Sequence, residues 1–428
     1  MGLSMYNNFI YKTLNKKESI KVAMISMHAS PISELGGYKS GGMNLYIKEI
    51  ALRLAKLGAK VDIYTRNDVD NTIETLELGP NVRLIYINAG PKKKLAPLEL
   101  NEHIDEFVSE VQNYRNFEKI KYDVVHSHYY LSGLIGMHIA KSWSIPHITM
   151  FHTLELAKNM AFKNKSKSNL RISLEKKVIN GVDKIICASS HEKDIIESYQ
   201  ALASKKVNII PLAVDTNVFH PNDMNLSRKK LGIDENCKIL LCVSRIDPVK
   251  GIDILIKSFA QLDNDHLKLM IIGGYNAPNP YQSKLFKLVK KLKLEEKIHF
   301  VGAIPHGDLV SYYNSSDLVV IPSLYESFGL VSLEGFATKK PIIASNAGGL
   351  PSIIVNEVNG ILFESSNVAD LSDKINLILS DKLLRDQIAK QAFLDVNKYS
   401  WDTTANHVFQ VYENLLSVSN KIKTASSY

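Results

Sequence analysis

In the stretch ESFGLVSLEG two carboxylates, Glu326 and Glu334, stand eight positions apart around a small Ser-Phe-Gly. A carboxylate can act as an acid or base, bind a metal, or accept a pair of hydrogen bonds from a vicinal diol, and spacing helps to separate these uses. On a helix eight residues advance about 12 Å, further than the roughly 5 to 9.5 Å between the paired carboxylates of glycosidases. The pair suits two grips on a ligand as long as a sugar joined to a nucleotide ribose, with a solvated helix face as the plain alternative. Upstream, VSRIDPVKGID sets Arg245 and Lys250 five positions apart around Pro248, just past an apolar run. A planar guanidinium fork and a mobile ammonium in one loop suit a diphosphate. Two solvated surface charges is the competing reading.

The segment GGYKSGGMNLYIKEI carries Gly36, Gly37, Gly41 and Gly42 ahead of an amphipathic run. Backbone amides and a helix dipole at such a place attract anions, although glycines there also serve turn geometry. The run is not G-x-G-x-x-G and no Walker lysine follows, which argues against a standard dinucleotide fold. His28, His126, His128, His147 and His152 fall at separate strand ends and read as strand-edge or core residues, His152 excepted. Cys187, Cys237 and Cys242 form neither a C-x-x-C nor a zinc set. They read as reduced core residues of a cytosolic protein.

These residues need a scaffold, and the alternation of short β-rich runs with amphipathic stretches from Lys21 onward supplies one. KVAMISMHAS, NLYIKEIALRLAKLGA and KVDIYTR follow as strand, helix, strand, which predicts a parallel sheet covered by helices. Ligands of such sheets sit beyond the carboxyl ends of the strands, so HASP, HSHYY and FHTLE should face one crevice. The alternation breaks in the polar, turn-rich DTNVFHPNDMNLSRKKLGIDEN and restarts with CKILLCVSRID. The expected division is a disordered extension over 1–20, an N-terminal Rossmann-like domain over 21–214, and a second such domain over 215–400. A last helix over about 401–420 has no strand after it. The class is α/β, with a cleft between two domains.

Bulk properties agree. At 428 residues the chain exceeds what one core usually organises, and 45% hydrophobic with 22% charged residues is an ordinary globular composition. A net charge of +8 spread along the chain suits anionic small molecules, nucleic acid or an acidic membrane surface equally. No window approaches the roughly 18 apolar residues needed to span a bilayer, and the start has no signal-peptide stretch. Any membrane contact is expected to be peripheral, in a cytoplasmic protein.

Taken in order, VSRIDPVKG, ESFGLVSLEG and SNAGGLPSII resemble the C-terminal domain of retaining glycosyltransferases of family 4 and GT-B fold. The resemblance runs from Lys21 to about Val418. MHASP, GGMNLYIKEIALRLAKLGAKVDIYTR, DVVHSHYYLSG and HTLELAKN are similar to the branch holding the inositol-phosphate N-acetylglucosaminyltransferase of mycothiol synthesis and the sucrose-phosphate synthases.

The resemblance implies two Rossmann-like domains facing across a cleft, with the C-terminal helix crossing back to the N-terminal domain. It puts Glu326 on the donor sugar's hydroxyls, Glu334 on the nucleotide ribose, and Arg245 and Lys250 on the diphosphate. The amides of Gly41 and Gly42 help from across the cleft. Ser327, Phe328, Gly329 and Leu330 complete the donor site, and His152 lies beside the transferred sugar. His152, Arg245, Lys250 and Glu326 are thereby the catalytic set. The transfer this family performs runs on the front face of the sugar, with the departing phosphate taking the acceptor's proton, so the protein positions reactants and stabilises the leaving diphosphate. No protein nucleophile, cofactor or metal is then expected, and the chain has no D-x-D run to seat a divalent ion.

On the acceptor side Asn44, Tyr129 and Thr153 match the branch. Arg171 stands one position from its phosphate-binding Arg, and Pro97 takes the place of its Lys, with Lys92, Lys93 and Lys94 close by. The expected activity moves a hexose or N-acetylhexosamine from a UDP-sugar to a small hydroxylated, phosphorylated acceptor such as a cyclitol or sugar phosphate, without nucleic acid. Synthesis of a polysaccharide or lipid-linked glycan, and a non-catalytic sugar-nucleotide-binding homologue, are the alternatives. The basic stretch KNMAFKNKSKSNLRISLEKK reads as an anionic-acceptor loop, a membrane-facing patch or a solvated loop.

Overall fold

The computed structural model describes residues 19–32, 41–69, 74–162, 169–274 and 280–425. The expected disordered extension, through residue 18, lies outside them, as do Gly36 and Gly37. Eight strands form the first sheet: β1 (Lys21–Ile25), β2 (Lys60–Arg66), β3 (Thr75–Gly79), β4 (Val82–Ile87), β5 (Val124–His128), β6 (His147–Met150), β7 (Lys184–Cys187) and β8 (Val207–Ile209), in the order β3-β4-β2-β1-β5-β6-β7-β8. Six form the second: β9 (Lys238–Val243), β10 (Leu267–Ile272), β11 (Ile298–Gly302), β12 (Leu318–Ile321), β13 (Ile342–Ser345) and β14 (Ile361–Phe363), ordered β11-β10-β9-β12-β13-β14.

The central strands are continuous apolar runs with no exposed face. Val22 to Ile25 and Leu240 to Leu241 are fully buried, as strands with helices on both sides require. One strand departs from the all-parallel expectation. The half-exposed β3 pairs antiparallel with β4 at the sheet edge, closed by a turn in which Asn81 adopts φ 62°. Its short TLELG run has the alternation of a strand with one wet face, not the apolar continuity of its neighbours.

The Trp401–Ala425 helix returns to the first sheet and packs on the Gly42–Lys56 helix. The Trp401 ring lies 6.1 Å from that of Tyr46, the Tyr412 hydroxyl is 2.7 Å from His126 Nδ1, and Arg53 Nε is 3.2 Å from Asp402. The largest apolar cluster runs from Tyr46 and Ile47 through Phe328 and Phe336 to Trp401 and Tyr412. The two sheets therefore share a core at their joint, while each keeps its own core on the outer face.

Candidate active site

Loops at the carboxyl ends of both sheets enclose a cleft of about 650 Å³. From the first sheet come His28 after β1, Gly41 to Asn44 at a helix start, Tyr129 after β5, and His152 and Thr153 after β6. From the second come Ser244 to Lys250 after β9, Gly273 after β10, Ile304 and His306 after β11, and Tyr325 to Gly329 after β12. Every residue assigned a site role from sequence lines this cleft: Gly41, Gly42, Asn44, Tyr129, His152, Thr153, Arg171, Arg245, Lys250, Glu326, Ser327, Phe328, Gly329, Leu330 and Glu334.

On the second-sheet side, the Lys250 ammonium pairs with Glu326 Oε1, which also accepts from Ser323 Oγ at 3.1 Å. Glycines make that meeting possible. Gly251 has φ 62°, and a Cβ there would sit 2.1 Å from the Pro322 carbonyl oxygen. Gly348 has φ 59°, and its Cβ would sit 2.1 Å from the Glu326 carbonyl oxygen, which accepts from the Gly349 amide at 2.7 Å. SNAGG thus holds the ESFG loop from below. The Arg245 guanidinium is about a third exposed and its nearest carboxylate, Asp247, is 3.7 Å away, so it faces the cleft only weakly engaged.

The segment between Glu326 and Glu334 is helical only from Leu330, capped by Gly329 at φ 110°, so the helical spacing of about 12 Å does not apply. Glu326 lies in the preceding loop, because Gly329 breaks the helix, and Gly329, Leu330 and Val331 at the start of Leu330–Ala337 line the cleft, where a helix N-terminus leaves amides unpaired. Glu334 is buried and already engaged: Oε1 lies 2.7 Å from His306 Nε2, and Oε2 accepts from the Tyr313 hydroxyl at 2.6 Å. Burial opposes a charge on His306, but the carboxylates of Glu334, Glu49 and Asp215 outweigh it and raise its pKa. A carboxylate has about four acceptor sites, so Glu334 keeps capacity for a ligand hydroxyl.

On the first-sheet side, Asn44 accepts from the Gly41 amide at 3.1 Å and donates to the Ser30 carbonyl at 2.7 Å, so it braces the glycine turn. Tyr129 has φ 77°, and its ring lies 4.3 Å from that of His28 and 4.8 Å from the Arg171 guanidinium. Arg171 donates to Glu175 Oε1 at 2.8 Å and the Thr153 carbonyl at 3.0 Å, and pairs with Glu155 at 3.0 Å. Two carboxylates thus balance its charge. The Thr153 hydroxyl is buried without a partner among the described residues.

Sequence reasoning counted Lys158 only within a basic run. It lines the cleft, forms no ion pair with a described residue, and is held at a pKa of about 8 by burial first and then by Arg171. It also feels Arg245 and Asp247 across the cleft. Its place six residues after His152, in the first turn of the Glu155–Phe162 helix, was the available signal. Pro97 lines the cleft, whereas Lys92 to Lys94 are exposed and do not.

The histidines are not spread over separate strand ends. His126 and His128 share β5, and the ring of His128 reaches that of His152 through a 3.0 Å contact between Nδ1 and Nε2. Burial drives His126, His147 and His152 down to about 3, and His128 well below its ordinary value, so all four are neutral imidazoles. Burial likewise pushes the Cys187 and Cys242 thiols up, to about 12 for Cys242, and keeps both protonated.

Two α/β sheets, parallel but for the edge strand β3, bring cations and carboxylates together on one inter-sheet cleft, the place where ligands of such sheets bind. Residues 40–218 match the family described as Glycosyltransferase Family 4, and residues 223–395 that described as Glycosyl transferases group 1. The chain belongs to glycosyltransferase family 4 and is a glycosyltransferase that uses a nucleotide sugar.

Among its relatives is a D-inositol 3-phosphate glycosyltransferase of Corynebacterium glutamicum, 34% identical over 94% of this chain and 98% of the relative. Another of that name, from Kribbella flavida, is 31% identical over 92% of this chain and 95% of the relative. Among solved structures, sucrose-phosphate synthase from Thermosynechococcus elongatus has a TM-score of 0.86 at 28% identity, covering 93% of this chain and 100% of that one. Anabaena HepE, solved with UDP and glucose, shares the fold with a TM-score of 0.73 at 19% identity, covering 92% of this chain and 100% of that one. Among the described residues no helix is long and apolar enough to cross a membrane.

Proposed function

We propose that the protein transfers a hexose or N-acetylhexosamine, with retention of anomeric configuration, from a UDP-sugar to a small hydroxylated acceptor bearing a phosphate. In this reading Arg245, Lys250 and the first-turn amides after Gly329 receive the diphosphate, Glu326 the sugar diol and Glu334 the ribose. Their charges act where negative charge grows as the sugar leaves. The acceptor lies against Tyr129, Thr153 and Arg171, and its hydroxyl gives its proton to the departing phosphate on the same face. The donor domain is assigned to about 215–400 and the acceptor domain to 21–214 with the C-terminal helix.

The observation that carries the acceptor reading is Lys158: a half-buried ammonium in no ion pair with a described residue, held down by burial and Arg171 more than Glu155 and Asp247 hold it up, in a cleft that also contains the unpartnered Thr153 hydroxyl. A buried charge left uncompensated is costly, and an acceptor phosphate would supply the missing anion. The names of relatives that match more than nine-tenths of the chain support the same class. One observation favours a lipid-borne acceptor instead: Met160, Phe162 and Leu170, close in sequence to Lys158 and Arg171, are exposed apolar side chains.

The deciding assay compares inositol phosphate and fructose 6-phosphate with their unphosphorylated forms and with a lipid-linked acceptor, using one UDP-sugar. The phosphorylated soluble acceptors should be preferred by about 10- to 150-fold, the scale of one charge-assisted contact. Equal use of the neutral forms, or use of the lipid-linked acceptor alone, would overturn the assignment.

A further inference from the structure

Two residues of the donor side are planted in the opposite half of the molecule. Val249 and Tyr325 follow strands of the second sheet, yet both are buried in the apolar cluster of the first, with Tyr129, Phe151 and Leu154. The Leu324 amide donates to the Val249 carbonyl at 2.8 Å, so the two loops arrive together. Each planted residue is followed directly by a member of the Lys250–Glu326 pair. On the far side of Glu326 a polar contact completes the mounting, because the Ser189 hydroxyl, from the first-sheet half, donates to the Ser327 carbonyl at 2.9 Å.

Ser189 also caps the Ser190–Tyr199 helix, accepting from the Glu192 amide at 3.2 Å. A cap uses only the hydroxyl oxygen and leaves its one proton for another acceptor. Ser189 is buried, so that proton goes to the Ser327 carbonyl across the joint and not to water. Gly349 leaves the room for this meeting. Its φ of −81° would suit any residue, but a Cβ there would lie 2.2 Å from the Ser327 carbonyl oxygen and 3.0 Å from Ser189 Oγ. Consecutive carbonyls of the donor loop are thus held from opposite halves, that of Glu326 by the Gly349 amide and that of Ser327 by Ser189.

We propose that Ser189 is a positioning residue of the transfer, whose hydroxyl ties the ESFG loop to the acceptor-side half and so sets Glu326 relative to the acceptor. The inference rests on the reading of Glu326 as the grip on the donor sugar. Ser189 is not among the residues that line the cleft, and it acts through the loop.

Two substitutions separate a tie from a cap. Glycine is tolerated at a helix cap far better than alanine, and neither has a hydroxyl. Amide hydrogen exchange, which needs no activity, should run about 3- to 10-fold faster across 324–330 in both Ser189→Gly and Ser189→Ala, the scale of one neutral hydrogen bond. The 190–199 helix should loosen chiefly in Ser189→Ala. In both variants kcat should fall by about 3- to 10-fold with donor KM within about two-fold, because Arg245, Lys250 and Glu334 still hold the donor. Ser189→Thr, which keeps the hydroxyl, should match the wild type in both readouts. Unchanged exchange across 324–330 or wild-type kcat in Ser189→Gly would overturn the proposal, and so would loosening confined to the 190–199 helix in Ser189→Ala. Absence of transfer with every donor tried would count against the proposed function, and the exchange comparison would still decide the tie.

Discussion

Replacing Lys158 by Met separates function from stability, because the two should move in opposite directions. In the folded protein the ammonium is held at about 8 from an ordinary 10.5, by burial and then by Arg171. That difference corresponds to on the order of 3 kcal/mol of destabilisation at any pH below 8. Its sign follows from linkage: the folded state binds the proton less tightly than the unfolded chain, so the penalty is complete below pH 8 and relieved as pH rises toward 10.5. Methionine keeps the aliphatic stem and removes the charge. Lys158→Met should therefore melt a few degrees higher at pH 7, and its advantage should shrink above pH 8.

Acceptor use should move the other way. Losing a charge-assisted contact to a phosphate costs roughly 1.5 to 3 kcal/mol, which is about 10- to 150-fold in kcat/KM for a phosphorylated acceptor. The donor KM should be unaffected. The wild type should itself lose acceptor affinity as pH rises through the Lys158 value, a limb absent from the variant. Calorimetric melting and initial rates over pH 6 to 10 check both halves. A variant that melts lower and still uses the phosphorylated acceptor as well as the wild type would refute the reasoning.

Arg245→Ala and Glu326→Gln should each lower kcat by about 100- to 1,000-fold while leaving the fold intact by circular dichroism, the scale of a lost donor to a developing anion; wild-type turnover in either would remove it from the donor site. Proton NMR of fresh product should show the donor's anomeric configuration, and rates should survive EDTA; an inverted product or complete loss in chelator would refute the mechanism. His306→Gln should destabilise the protein at pH 6 by about 1 to 3 kcal/mol through loss of a hydrogen-bonded charge pair with Glu334. Because the folded pKa of His306 is raised, that contribution is full below the unfolded value near 6.5 and fades as pH rises through the folded one, so urea titrations at pH 6 and pH 9 should show the variant's deficit shrinking.

Local chemistry made part of this protein legible from its residues alone. The buried strands are apolar without interruption and the polar break after residue 214 is long, so two parallel sheets could be read off directly. Arg245, Lys250 and Glu326 follow strand ends and Glu334 sits in the helix just after, and the topology of such sheets sends strand ends to one crevice whatever the side-chain detail. The wet, antiparallel β3 shows how far this reaches, because its neighbour and direction depend on a turn and an edge that no periodicity encodes.

The state of each side chain was decided in three dimensions. Glu334 is held by His306 and Tyr313, which lie 28 and 21 residues away in sequence. Arg171 read as a phosphate ligand, yet its charge is balanced by Glu155 and Glu175, while Lys158, one of many lysines, lines the cleft with its pKa lowered by burial and forms no ion pair with a described residue. His126 reads as an ordinary strand residue until Tyr412, 286 residues later, closes over it. Residue type and spacing determine which groups reach the cleft. Charge balance, burial and tautomer are set by partners from distant segments, and only the folded chain brings those within hydrogen-bonding range.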